Sequence, residues 1–175
     1  KDIDLFKEMD QYHLQYIEQP LGEEDIVDHA VLQKEIETPV CLDESVVSYE
    51  AAEAAIRLGS CKVINIKSSR CGGVYEGKRI HDLCVAHGIP VWCGGMTELG
   101  IGRAQNVSFA SLPGFTELAH DVAAANRYFD EDITSPMVDI TDRCTILVPD
   151  EDNGIRYEVD EKQIDKMEAG HWIFK

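Results

Sequence analysis

Basic residues are scarce. Sixteen Lys and Arg stand against 33 Asp and Glu, a formal charge of −17 over 175 residues. Nucleic-acid binding rests on clustered Lys and Arg that displace counterions, so this balance argues against a nucleic-acid partner. It argues equally against an anionic membrane surface. No run of about 18 apolar residues occurs, which excludes a helical bilayer span. No charged-then-apolar leader follows Lys1, and a cytoplasmic location is expected. The six cysteines form no Cys-x-x-Cys pair, and several sit inside apolar runs such as Val40-Cys41-Leu42 and Val91-Trp92-Cys93. Thiols in a reducing compartment are the expectation. A Gly-x-Ser-x-Gly elbow and a P-loop are both missing.

What is present is an ordinary globular mixture, 44% hydrophobic and 28% charged, at a length that suits one domain. Short apolar runs alternate with helical patterns. Helices are expected over 3–12, 23–37, 49–58 (Ser48 as N-cap, Gly59 just past the end), 74–87 and 100–112. Strands are expected over 14–18, 40–43, 62–67, 90–93 and 115–117. After Asp121 the rhythm breaks: strands are expected near 138–140 and 145–148, an acidic loop over 150–154, and a last helix capped by Asp160. The tail from Gly170, with Trp172 and Phe174, has no assigned role.

Twenty-five residues separate Glu18 from Asp43, and 24 separate Asp43 from Lys67. Alternation at this period indicates a parallel sheet, doubly wound or closed as a β/α barrel. Each apolar run finishes in a polar residue, and barrel enzymes place their chemistry at the C-terminal strand ends, which favours the barrel. Only four to five units fit in the first 120 or so residues, whereas a whole eightfold barrel takes about 250.

Three strand-end residues carry the chemical signal. Glu18 and Asp43 would project into one bowl, where two acids repel unless a cation or a shared proton relieves them. A hard divalent ion such as Mg2+ is the natural solution, against the plainer reading of solvated loop acids. Lys67 closes an apolar run; its amine would be desolvated or compensated by acids, either of which suits proton transfer. A snorkelling lysine is the plainer reading there. Gly94-Gly95 and Gly100-Ile101-Gly102 offer exposed backbone N–H groups that suit a carboxylate or phosphate. His81, Cys84 and His87 resemble a zinc set, but His81 and Cys84 share a helix with Ile80 and Leu83, so packing is expected.

Tyr16-Ile17-Glu18-Gln19-Pro20-Leu21, Cys41-Leu42-Asp43-Glu44-Ser45, Asn65-Ile66-Lys67 and Val91-Trp92-Cys93-Gly94-Gly95-Met96 resemble, at these separations, the enolase superfamily and its muconate-lactonising-enzyme subgroup. The likeness is nearest to the o-succinylbenzoate synthase / N-acylamino acid racemase family and runs from about residue 3 to 168. The resemblance implies the C-terminal part of a TIM-like β/α barrel, incomplete in this chain, over 1–135. A segment over 136–175 would complete the barrel or its capping domain. It implies Mg2+ bound by Glu18 and Asp43, Lys67 as the catalytic residue, Gly95 and Met96 contacting a small-molecule carboxylate substrate, and Glu44 and Asn65 supporting these groups. The implied chemistry is abstraction of a proton α to a carboxylate through an enediolate. The synthase loses water to form o-succinylbenzoate in menaquinone biosynthesis, with Lys67 in a cation–π role; the racemase uses Lys67 as acid/base.

The family also needs a third carboxylate one strand before Glu18 and a Lys-x-Lys motif one strand earlier still. The 17 residues before Glu18 hold neither. The chain is therefore read as the C-terminal portion of such an enzyme, inactive alone, a homo-oligomer or dependent on the other half. A non-catalytic half-barrel module is the alternative. Exposed strand edges in a half-barrel would call for a covering partner.

Overall fold

The computed structural model describes residues 3–115, 117–148, 157–170 and 172. The chain divides into two compact units: Lys1–Gly94 with Leu112–Asp121, and Gly95–Ser111 with Val122–Lys175. The expected acidic loop over 150–154 and Phe174 lie outside the described residues.

The first unit is a four-stranded parallel sheet in the order β1 (Ile17–Glu18), β2 (Val40–Leu42), β3 (Val63–Ile66) and β4 (Val91–Cys93). Helices α1 (Ile3–Met9), α2 (Ile26–Glu35), α3 (Tyr49–Leu58) and α4 (Val74–Ala86) alternate with the strands. Every residue of β2, β3 and β4 is buried. That pattern belongs to parallel strands covered on both faces, and it explains their unbroken Val, Ile and Leu runs. Complete burial of Ile64 and Ile66 contributes about 1.5–3 kcal/mol each.

Local chemistry sets the helix limits. Ser48 accepts the Ala51 N–H at 3.2 Å and Gly59 takes φ +73° at the far end of α3. The Asp25 carboxylate caps α2 by accepting the Asp28 N–H at 2.8 Å, so α2 begins at Ile26, later than the sequence pattern suggests. Gln33, buried under the Thr38-Pro39 stop, accepts the Val40 N–H at 2.7 Å and hands the chain into β2.

Several expected strands differ. Only Ile17 and Glu18 pair in the first, because a 3₁₀ turn over Asp10–Tyr12 ends with His13 at φ +50° and the chain straightens late. Phe115 enters no strand, and Thr116 lies outside the described residues. The Phe115 ring is buried 4.6 Å from His81 and 5.3 Å from His120. The sheet is extended beyond β4 by a parallel bridge, Gly94 to Asp121.

In the second unit, α5 (Gly100–Ala110) packs Ala104 and Val107 on Val138. Its first N–H group, at Gly100, is accepted by the Asp132 carboxylate at 2.7 Å. Arg103 is 1% exposed and donates to the carbonyls of Ala123 and Glu98. Among the described residues the pairing strands of this unit are β5 (Thr134–Ser135) and β6 (Glu158–Val159), antiparallel, rather than 138–140 and 145–148. Thr141 and Thr145 close a tight turn between those segments by hydroxyl and backbone bonds of 2.7 and 2.8 Å. Asp160 caps α6 (Glu161–Met167), as its sequence position suggests. No helix among the described residues is long and apolar enough to cross a membrane.

Candidate active site

Parallel strands bring their C-terminal ends to one edge of a sheet. Glu18 is the last residue of β1, and Asp43, Lys67 and Gly94 each follow their strand by one position. The ladder continues into these turns: Gln19 N–H donates to Cys41 C=O at 2.8 Å and Gly94 N–H to Ile66 C=O at 3.2 Å. Covalent spacing of 25 and 24 residues thus becomes adjacency in space. The result is a cavity of about 590 Å³ lined by Glu18, Gln19, Glu23, Asp43, Glu44, Lys67, Trp92 and Asp121.

Five carboxylates face one ammonium in that lining. Asp43 is the most enclosed, 3% exposed. Its Oδ2 accepts from Lys67 Nζ at 2.8 Å and its Oδ1 from the Arg70 guanidinium. Glu18 is more open; its Oε1 accepts from Asn65 Nδ2 at 2.9 Å, and Asn65 is itself 1% exposed. Glycine is required at 94 because a Cβ there would sit 2.4 Å from Asn65 Oδ1 and 2.7 Å from Lys67 Cε. Tyr16 stacks on Trp92 at 6.1 Å. Burial, followed by nearby negative charge including Glu18 and Asp121, pushes the Tyr16 phenol up.

Of the residues singled out in the sequence, Glu18, Asp43, Glu44 and Lys67 line this one cavity, and Asn65 stands behind Glu18. Gly95 and Met96 belong to the second unit; Met96 is exposed and its N–H donates to the Glu98 carboxylate at 2.8 Å. His81 and Cys84 are buried in helix packing. All six cysteines are thiols, five of them buried. Burial pushes Cys61 and Cys84 up to about 12 and Cys71 up to about 11, and raises Cys41 as well, so these are packing residues and not nucleophiles.

Sequence reasoning missed Arg70, Gln19 and His120. Arg70 reaches Asp43 because two backbone bonds to Lys67 C=O, from Arg70 and Cys71 at 3.0 and 3.1 Å, curl the chain back after β3. The signal available was a cation three residues after Lys67. His120 Nδ1 accepts the Cys93 N–H at 3.0 Å, which fixes the approach of Asp121; burial holds His120 below its ordinary range. Nothing in the local pattern announces that bond.

The sequence profile of the family described as enolase C-terminal domain-like matches residues 1–163. The chain belongs to this family. It is 58% identical over 140 residues to an o-succinylbenzoate synthase of Bacillus subtilis, covering 80% of this chain and 38% of the relative. It is 54% identical over 137 residues to an N-succinylamino acid racemase of Amycolatopsis, covering 78% and 37%. A crystal structure of an enolase superfamily member from Listeria innocua superposes with a TM-score of 0.87 at 43% identity, over 94% of this chain and 44% of that one. This enolase C-terminal domain-like chain therefore spans less than half the length of the relatives it matches, and its parallel strands and helices are part of the superfamily's β/α barrel.

The donor set of the cavity suits the divalent ion that the family implies. Carboxylate oxygens suit a hard cation, and five carboxylates against the Lys67 ammonium and the Arg70 guanidinium that pairs with Asp43 leave the cavity negative. No three His, Cys, Asp or Glu side chains are gathered as a ready-made cage among the described residues. Mg2+ commonly uses one or two carboxylates and keeps its remaining positions for water and substrate, so Glu18 with Asp43 fits it.

Proposed function

We propose that this chain carries the Glu18–Asp43–Lys67 part of an active site that removes a proton α to a carboxylate, in a parent enzyme of o-succinylbenzoate synthase type. One observation carries the reading: three strand-end side chains converge on a single cavity, with Lys67 Nζ 2.8 Å from Asp43 Oδ2. Glu18 and Asp43 would hold Mg2+, which when bound supplies electrostatic stabilisation to the negative charge that develops on the substrate carboxylate.

The chain's own residues do the rest. Asp43 holds the Lys67 ammonium at a fixed place on the cavity wall, so the amine does not swing through its four-carbon range. Asn65 aims the Glu18 carboxylate. Trp92, stacked on Tyr16, gives the cavity its aromatic lining, against which an unsaturated ring can rest. In the dehydration, Lys67 keeps its proton and faces that ring as a cation. A second reading is supported by the 54% identity to the Amycolatopsis racemase: Lys67 would then take and return a proton on one side of the α-carbon of an N-succinylamino acid. Gly95 and Met96 are proposed to contact the substrate.

A chimera placing this chain behind the N-terminal remainder of the Bacillus subtilis relative tests the proposal. Dehydration and racemisation are assayed separately. Turnover by the chimera is expected in at least one assay, reduced about 10²–10⁴-fold by Lys67→Ala. A folded, active chimera indifferent to Lys67→Ala would overturn the reading.

A further inference from the structure

We propose that Gln19 is a positioning residue that sets the separation of the Glu18 and Asp43 carboxylates. The inference rests on the metal reading above and adds to it a mechanism of alignment. Gln19 follows Glu18 directly and adopts φ +40°, a left-handed backbone value that a non-glycine residue takes only where its surroundings compel it. That conformation turns its side chain away from β1 and onto the turn that follows β2.

Both ends of the amide are used there. Oε1 accepts the Asp43 N–H at 2.9 Å and the Ser45 N–H at 3.3 Å. Nε2 donates to Ser45 Oγ at 2.8 Å, and the Ser45 hydroxyl donates onward to Glu23 C=O at 2.6 Å. The Gln19 N–H meanwhile pairs with Cys41 C=O. One side chain, bonded covalently to Glu18 on one side and by hydrogen bond to Asp43 on the other, therefore closes a loop around both carboxylates. Asn would fall one methylene short. Glu would keep the acceptor but lose the donor and add a sixth carboxylate to the cavity. Only Gln offers this reach, an acceptor for two amides and a donor for the serine, without charge.

The test uses the whole chain. Gln19→Met preserves length and removes both polar ends; Gln19→Glu preserves the acceptor. Ser48→Ala, which removes the α3 cap away from the cavity, serves as a variant of lowered stability. Amide hydrogen exchange is measured without metal, and Mn2+ affinity by calorimetry. In Gln19→Met, faster exchange at Asp43 and Ser45 is expected, with Mn2+ affinity reduced about 10–100-fold. Gln19→Glu should restore protection at Asp43, and Ser48→Ala should leave Mn2+ affinity at the wild-type value and speed exchange at Asp43 and Ser45 no more than at the other amides of the sheet.

Unchanged exchange at Asp43 and Ser45 in Gln19→Met overturns the inference, as does an equal loss of Mn2+ affinity in Ser48→Ala. If Gln19→Met does not fold, Ser45→Ala replaces it: faster exchange at Asp43 supports the clamp and unchanged exchange overturns it. Failure of the wild-type chain to bind Mn2+ would sink the metal reading, while the exchange measurements would still decide the role of Gln19.

Discussion

Asp43 is held from two sides: Lys67 Nζ lies 2.8 Å from one carboxylate oxygen, and Arg70 takes the other. The two cations come from one turn, so the chain neutralises its most buried acid with its own residues. Their side chains are 17% and 15% exposed against 4% for Asp43. The acid is therefore the member that water can least help.

Asymmetric costs should result. Asp43→Asn leaves two cations facing a neutral amide and should destabilise toward the lower end of the roughly 3–5 kcal/mol typical of breaking a buried pair. Lys67→Met leaves Asp43 paired with Arg70 and should cost about 1 kcal/mol, the size of a partly exposed pair. Urea denaturation measures both. A larger loss for Lys67→Met than for Asp43→Asn would contradict this assignment of roles.

Gly94 gives the lysine and asparagine their room. In Gly94→Ala the new methyl group would overlap Asn65 Oδ1 at 2.4 Å and Nδ2 at 2.7 Å. The Lys67 stem can bend away, but Asn65 is enclosed and bonded to Glu18. The expected cost is about 1–3 kcal/mol, as for other overpacked cores. A shifted Asn65 side-chain amide resonance should accompany it, and an unshifted resonance would show that the overlap is relieved elsewhere.

Acid should loosen the bond between His120 and Cys93. Burial lowers the His120 pKa in the folded chain below its ordinary 6.5, and its Nδ1 accepts a hydrogen bond that only the neutral ring can accept. Between the folded and unfolded values the unfolded chain binds the extra proton, so stability falls as pH drops below about 6.5 and is flat, for this group, above it. His120→Gln keeps an acceptor without the titration. The wild-type minus variant difference in Tm should shrink on acidification through that window; a difference independent of pH would refute the role.

The start of α5 depends on an acid 32 residues away, since Asp132 Oδ1 accepts the Gly100 N–H. Asp132→Ala should cost about 0.5–2 kcal/mol, the range for lost helix caps, and accelerate exchange at Gly100. Protection of Gly100 retained in the variant would show that another group caps the helix.

The sequence exposed those features whose causes are local. Ser48 and Gly59 bound α3 because a hydroxyl and a glycine act within one turn of themselves. The strand ends at Glu18, Asp43 and Lys67 stood out because each interrupts an apolar run. Arg70, Gln19 and His120 escaped notice because their roles come from bonds across 24 to 27 residues, which no local pattern encodes. The strands expected near 138 and 145 failed for a related reason. Val138 is buried against α5, so its apolar character reports helix packing and not strand pairing.

Paramagnetic broadening by Mn2+ tests the central claim most directly. Substoichiometric Mn2+ added to the 15N-labelled chain should first broaden the side-chain amides of Gln19 and Asn65 and the Trp92 indole N–H. Glu18→Gln or Asp43→Asn should abolish that selective loss. Broadening that begins elsewhere on this acidic chain, or that persists unchanged in both variants, would contradict the account.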